Sequence, residues 1–190
     1  SRCGSCTLML EYGLSLEELG RTREAIEVFE QARSKLAASS FDAALRADAS
    51  LALGKAHRKL GDDAVGEREL VRALAEYRAT YPVAGPDHAN TLYELGELAL
   101  TRRRWDEARA HLTEAVANFT VTAEPDYPPL ARTRFALARA LTGAAGPAPA
   151  EAREFAEAAR QALVDNDKHD EAHAVESWLA EHTSPAPRPL

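Results

Sequence analysis

Small residues recur along this chain inside a constant frame of larger apolar ones, with polar residues filling the spaces between. Gly13, Gly54, Gly96 and Ala138 follow one another at intervals of 41, 42 and 42 residues. The first three share a downstream pattern. After Gly13 come Leu16, Gly20, Ala25, Phe29 and Ala32; after Gly54, His57, Gly61, Gly66, Leu70 and Ala73; after Gly96, Ala99, Arg103, Ala108, Leu112 and Ala115. A period of about 20–50 residues marks a stacked array of supersecondary units, not a globule closed around one cleft. Function then has to be sought on a surface.

One period reads as a helical hairpin. A small residue midway along one helix, matched by another early in the next (Gly13 with Ala25, Gly54 with Gly66, Gly96 with Ala108), lets two antiparallel backbones approach closely, while Phe29, Leu70 and Leu112 fill the space beside the crossing. Gly20 and Gly61 stand where a left-handed helix stop is wanted, and Arg103 takes that place in the third period, which predicts a strained or differently shaped turn. Helices are predicted over 5–19, 22–38, 41–60, 63–80, 87–102, 105–120, 128–142, 150–165 and 168–182, with Pro82, Pro86, Pro125, Pro128 and Pro129 in the connections. The last of these, with Ala172, Val175, Trp178 and Leu179 on one face, reads as a terminal cap laid on the stripe Phe155, Ala159 and Leu163. Composition agrees: Ile26 is the one isoleucine, and alanine, leucine, arginine and glutamate dominate, so no strand is expected.

The small, small, aromatic-or-leucine, small signature resembles the tetratricopeptide repeat, and the longer period resembles its kinesin-light-chain-like form. In that form a Gly-Pro-Asp-His run precedes the next first helix, and Gly85-Pro86-Asp87-His88 stands here ahead of Leu92, Leu95 and Gly96; Pro125-Asp126-Tyr127-Pro128 is a weaker copy. His57, where a large apolar residue is usual, and the long Gly143–Pro149 stretch depart from the pattern. The resemblance implies an all-α, right-handed solenoid of four hairpins (5–39, 41–81, 87–121 and 128–165), a capping helix over 168–182 and one domain over 1–183; Pro185, Pro187 and Pro189 predict a flexible tail over 184–190.

Charge narrows the partners. The net charge of −7 and sequence pI near 5.4 argue against general nucleic-acid or anionic-membrane binding, because phosphate neutralisation needs a basic face, and leave local basic groups for a phosphorylated or acidic peptide. No run of 18 apolar residues and no signal peptide is visible, so a soluble, cytoplasmic chain is expected. The first helix begins almost at Ser1, which suggests a fragment of a longer protein.

Candidate chemistry is sparse. Cys3 and Cys6 form a Cys-Gly-Ser-Cys pair, but a zinc site needs two further ligands and a thioredoxin-like role needs a βαβ context; Cys6 is expected to be a small apolar residue of the first helix, and the lack of other cysteines fits a reducing compartment. His169 and His173 have the spacing of metal ligands on a helix, yet no third ligand is evident, so solvated histidines are expected and no metal or cofactor is implied. His88 is expected to cap or pack its turn. Glu24, Asp62, Glu107 and Glu151 open helices, where carboxylates complement the dipole. Nucleophile elbows, phosphate loops and dinucleotide fingerprints are absent, and no enzymatic activity is expected.

In arrays of the family resembled, the first helix of each hairpin lines the recognition face. The residues three before the small position are Leu10, Leu51, Tyr93 and Phe135; one after it come Leu14, Lys55, Glu97 and Arg139; six before it, Thr7, Asp48, Asn90 and Arg132. From these the expected partner-binding set is Leu51, Lys55, Asn90, Tyr93, Glu97, Arg132, Phe135 and Arg139, with Lys59 and Glu94 also on the rim. The chaperone-tail carboxylate clamp is missing, since Leu10 and Leu14 fill two of its places. The stretches Ala131–Leu141 and Val175–His182 further resemble the carboxyl-terminal repeat regions of bacterial, especially myxobacterial, serine/threonine kinases, and the 19 arginines against four lysines suit a GC-rich genome. The implied role is a protein- or peptide-binding module in a larger signalling protein, with a homo-oligomer left open. The alternative is the sensing or oligomerisation arm of a bacterial transcription regulator.

Overall fold

A computed structural model describes residues 4–37, 42–81, 85–143 and 147–183. Cys3, Pro82, the inner part of the Gly143–Pro149 stretch and the expected tail over 184–190 lie outside the described residues. Every regular element among those described is α-helical: α1 (Gly4–Glu18), α2 (Thr22–Leu36), α3 (Ala43–Lys59), α4 (Asp63–Thr80), α5 (Pro86–Thr101), α6 (Trp105–Thr122), α7 (Pro128–Thr142), α8 (Ala150–Asp165) and α9 (His169–Thr183). The helices group into two compact units, Ser1–Glu94 and Leu95–Leu190.

The small-residue frame does what the hairpin reading requires. A Cβ built on Gly13 would lie 2.3 Å from the Phe29 ring, one on Gly54 2.7 Å from Leu70 Cγ, and one on Gly96 2.5 Å from Leu112 Cγ. A Cβ on Gly66 would meet the Gly54 carbonyl oxygen at 2.9 Å. Phe29, Leu70 and Leu112 are fully buried, as are Ala25, Ala108, Ala32, Ala73 and Ala115. A further position keeps the same period: Leu36, Tyr77 and Phe119, all fully buried.

Three of the hairpin turns share one backbone solution. In α1–α2, α3–α4 and α5–α6 a backbone N–H at the end of the turn donates to the carbonyl five residues back: Arg21 N–H to Leu16 O at 2.8 Å, Asp62 N–H to His57 O at 2.9 Å, Arg104 N–H to Ala99 O at 2.9 Å. The residue before each donor has positive φ, at 75° for Gly20, 83° for Gly61 and 57° for Arg103. This is the helix stop that favours glycine. The third turn therefore keeps the shape of the others and carries its strain in Arg103, instead of changing shape. Between α8 and α9 the same bond recurs, from Lys168 N–H to Leu163 O at 2.9 Å, with Asp167 at φ 57°.

In the first unit, Leu10, Leu16, Ile26, Phe29 and Leu53 form a core where α1, α2 and α3 meet. In the second, an alanine-rich cluster from α7 and α8 (Ala131, Ala138, Ala152, Ala156, Ala159, Leu163) closes on Ala172, Val175 and Leu179 of α9. Val175 is fully buried and Trp178 half-buried, its ring edge-on to Phe135 with centroids 5.7 Å apart. On α1 the residues Leu8 and Tyr12 are exposed, whereas their period equivalents Ala49 and Leu53 on α3 are buried, because α2 packs on α3 and no described helix covers that side of α1.

Candidate functional site

The expected recognition residues separate between the two units. Leu51, Lys55, Asn90 and Tyr93 fall in the first; Glu97, Arg132, Phe135 and Arg139 in the second.

In the first unit α1 and α3 present their expected residues to a common cleft of about 190 Å³, lined by Leu10, Leu14, Phe29, Asp48, Leu51, Ala52, Lys55, Tyr77 and Asp87. The placement follows from helical spacing: Asp48, Leu51, Ala52 and Lys55 recur every three or four residues on α3, as Leu10 and Leu14 do on α1, so each helix turns one row toward the cleft. The floor is aliphatic and aromatic. Its polar end is Asp48, whose Oδ1 accepts the Tyr77 hydroxyl at 2.5 Å. Burial pushes the Asp48 carboxyl above the ordinary carboxylate range, and the neighbouring charge of Asp87 pushes the same way, against the opposing Tyr77 hydrogen bond. Burial and the same hydrogen bond drive the Tyr77 hydroxyl far upward, so it stays protonated and remains a donor.

Sequence reading missed Tyr77 and Asp87. Tyr77 could have been found, since it places a hydroxyl at the period position that Leu36 and Phe119 fill with hydrocarbon. Asp87 belongs to the Gly-Pro-Asp-His run. The last member of that run, His88, is buried, accepts the Gly85 N–H at Nδ1 over 3.4 Å and lies 5.6 Å from the Tyr77 ring, as expected for a residue that packs the turn. Asn90 and Tyr93, further along α5, are half-buried and do not line the cleft.

In the second unit the expected residues are engaged within the chain. Arg132 donates Nε and Nη2 to the two carboxylate oxygens of Glu171 on α9, at 2.6 and 2.8 Å. Arg139 donates to Glu97 at 2.9 Å and lies 5.9 Å over the Phe135 ring. Phe135 in turn packs on Trp178. Two rim ions of the first unit are also engaged: Glu94 pairs with Arg58, and Lys59 donates to the Glu17 carbonyl oxygen at 3.1 Å. These contacts join residues about one period apart, so they pin successive first helices to one another. Position within the period marked these residues as facing one surface; it did not reveal their contacts to the adjacent repeat.

The remaining candidates are the histidine pair and the described cysteine. Among the described residues there is no group of three or more His, Cys, Asp or Glu side chains that could hold a metal ion. His169 and His173 are largely exposed, each near a single carboxylate, Asp167 at 3.7 Å and Glu176 at 3.7 Å. Cys6 is buried on α1 but is disulfide-bonded, so it is not a simple apolar filler. No helix among the described residues is long and apolar enough to cross a membrane.

Helical hairpins packed through small residues and closed by a common left-handed turn define an all-α repeat protein. Two family models, both described as tetratricopeptide repeat, match residues 7–39 and 87–163, and the chain carries tetratricopeptide repeats. Its fold is shared with a putative kinesin light chain of Podosopora anserina that has nearly identical TPR-like repeats (17% identity, covering 92% of this chain and 93% of that one, TM-score 0.64). BtubC (BKLC) from P. vanneervenii is similar too (17% identity, 97% and 68% covered, TM-score 0.65). So is pilF of Pseudomonas aeruginosa (19% identity, 95% and 78% covered, TM-score 0.61). No curated protein matches the chain.

Proposed function

We propose that this chain is a non-catalytic interaction module that binds a segment of a partner protein along its first helices, and that it serves as the regulatory or scaffolding part of a larger bacterial signalling protein such as a serine/threonine kinase. Tetratricopeptide repeats mediate protein–protein interaction, and the solved structures similar to this chain share that fold. The observation that carries the reading is the first-unit cleft, where Leu10, Leu14, Asp48, Leu51 and Lys55 converge on an apolar trough with charged ends. Such a trough offers a buried anchor position within a polar rim, the arrangement in which a few side chains carry most of the binding energy. In the second unit, Arg132, Phe135 and Arg139 would support the first helices in position more than grip a partner, given their contacts to Glu171, Trp178 and Glu97. Within the same reading, residues 1–183 act as one domain and α9 closes its end.

The test is retention of partners from a bacterial lysate by the purified chain, with the retained proteins identified by mass spectrometry and the strongest then measured by calorimetry. Leu51→Ala and Lys55→Ala should each weaken that binding by about 1–3 kcal/mol if they are anchors. Tyr93→Ala with Phe135→Ala should matter less. Unchanged affinity in the Leu51→Ala, Lys55→Ala double variant, with helicity intact, would overturn the assignment to this cleft.

A further inference from the structure

We propose that the first-unit cleft is a receptor for an arginine side chain of the bound segment, its methylenes lying on Leu10 and Leu51 and its guanidinium meeting Asp48 and Asp87. The proposal rests on the reading of this chain as a peptide-binding module and specifies what that module selects.

Three observations converge on a long side chain with a delocalised cation at its tip. The trough is apolar along most of its length, with Leu10, Leu14, Phe29, Leu51 and Ala52 in its walls, which suits an aliphatic stem. It ends in two carboxylates, and Asp87 is near enough to Asp48 for the two to repel. Third, Asp48 is held by the buried Tyr77 hydroxyl at one oxygen, so its carboxylate is fixed in place before any ligand arrives.

Among the described residues that line the cleft, the charges leave this end unbalanced. Lys55, the cleft's cation, stands seven residues along α3 from Asp48, about 10 Å by helical rise, and it is exposed. Tyr77 supplies one hydrogen bond but no charge. A purely apolar side chain entering the trough would strip water from Asp48 and leave a carboxylate without a counter-charge, which is costly. An acidic one would be repelled by both aspartates. A planar guanidinium can donate to two carboxylates at once, which the point charge of a lysine does less well. Lys55, at the other end, then faces a backbone carbonyl or an acidic side chain of the same segment and sets its direction.

The probe is a pair of blocked peptides, acetyl-Ala-Leu-Arg-Leu-Ala-amide and the same peptide with citrulline in place of arginine, which keeps the shape and removes the charge. Each is titrated into the full chain and followed by amide chemical shifts. The arginine peptide is expected to bind about ten-fold tighter or more, the ratio that one charge-assisted contact of this kind supplies, with shifts concentrated around Leu10, Leu51, Tyr77 and Asp87. Asp48→Asn keeps an acceptor for Tyr77 and so preserves the local fold; it and Asp87→Asn should each bring the two peptides toward equal affinity. Equal binding of arginine and citrulline peptides to the unmodified chain overturns the proposal. So does a preference for arginine that survives both substitutions, or no binding of either peptide up to its solubility. The lysate experiment separates these failures from that of the broader reading: partners still retained in a Leu51-dependent way leave the interaction module standing with a different occupant in its cleft, whereas loss of both discards the cleft altogether.

Discussion

Replacing Gly54 with alanine sets helix propensity against packing, and the two predict opposite signs. Inside a helix the change should stabilise by about 1 kcal/mol on propensity alone. The added Cβ, however, would lie 2.7 Å from Leu70 Cγ, 2.8 Å from Leu70 Cδ2 and 3.2 Å from the Gly66 carbonyl oxygen. Carbon atoms rest at about 3.5–4.0 Å. Leu70 is fully buried, so its side chain cannot swing into solvent and the two helices must part or the leucine must leave its rotamer. Overpacking of this kind costs about 1–3 kcal/mol, which turns the propensity gain into a net loss of about 1 kcal/mol. Gly66→Ala should lose more, about 2 kcal/mol, because its new Cβ meets the Gly54 carbonyl at 2.9 Å and backbone cannot turn aside. The assay is urea denaturation followed by circular dichroism, including Leu70→Ala and the Gly54→Ala, Leu70→Ala double variant. Leu70→Ala alone should cost about 2–5 kcal/mol. In the double variant the new methyl occupies vacated space, so the total should fall short of the sum by about 1 kcal/mol. A higher midpoint for Gly54→Ala, or strict additivity, would refute the close-approach argument.

Three further outcomes follow from the geometry. Arg103→Gly should stabilise by about 0.5–1 kcal/mol, the left-handed penalty of a side chain less the flexibility of glycine, and a lower thermal midpoint would show that the turn is unstrained. Tyr12→Ala should change stability by no more than about 0.5 kcal/mol while its period equivalent Leu53→Ala costs about 2–5 kcal/mol; similar losses at both would mean that α1 is covered on that side. The Arg132 hydrogen bond holds the Glu171 carboxyl below its ordinary value of 4.5, so its stabilisation is present above that pH and lost as pH falls through the folded-state value. Glu171→Gln should therefore lower stability at neutral pH, by no more than about 1 kcal/mol for so exposed a pair, and leave acid melts unchanged; a loss that persists in acid would point to packing instead of charge.

The hairpins were legible because they depend on size and backbone alone. Gly13, Gly54 and Gly96 announce close approach by lacking a side chain, and Gly20 and Gly61 announce left-handed turns in the same way. Arg103 was marked only by its place in the period, and Asp167 shows the limit of the signal, since backbone hydrogen bonding imposes the same φ on a residue that gives no hint of it. The candidate site was half legible. Period placed Leu51, Lys55 and Asp48 on one face, but the polar end of the cleft comes from Tyr77 on α4 and Asp87 at the start of α5, residues that meet only across helices. Likewise nothing local in Arg132 foretells Glu171, 39 residues away, as its partner.

The common turn has a consequence for how such a chain can change in length. Its closing hydrogen bond spans a fixed number of residues, so an insertion there would unmake the bond and rotate the following helix. From Gly13 to Leu36, Gly54 to Tyr77 and Gly96 to Phe119 the spacing is accordingly the same in all three periods. The one-residue difference between periods of 41 and 42 arises only after Leu36, before Gly54. Where the common turn is kept, differences in length thus fall between hairpins and the helices stay in register, whereas the fourth hairpin, α7–α8, has the longer Gly143–Pro149 stretch in that place.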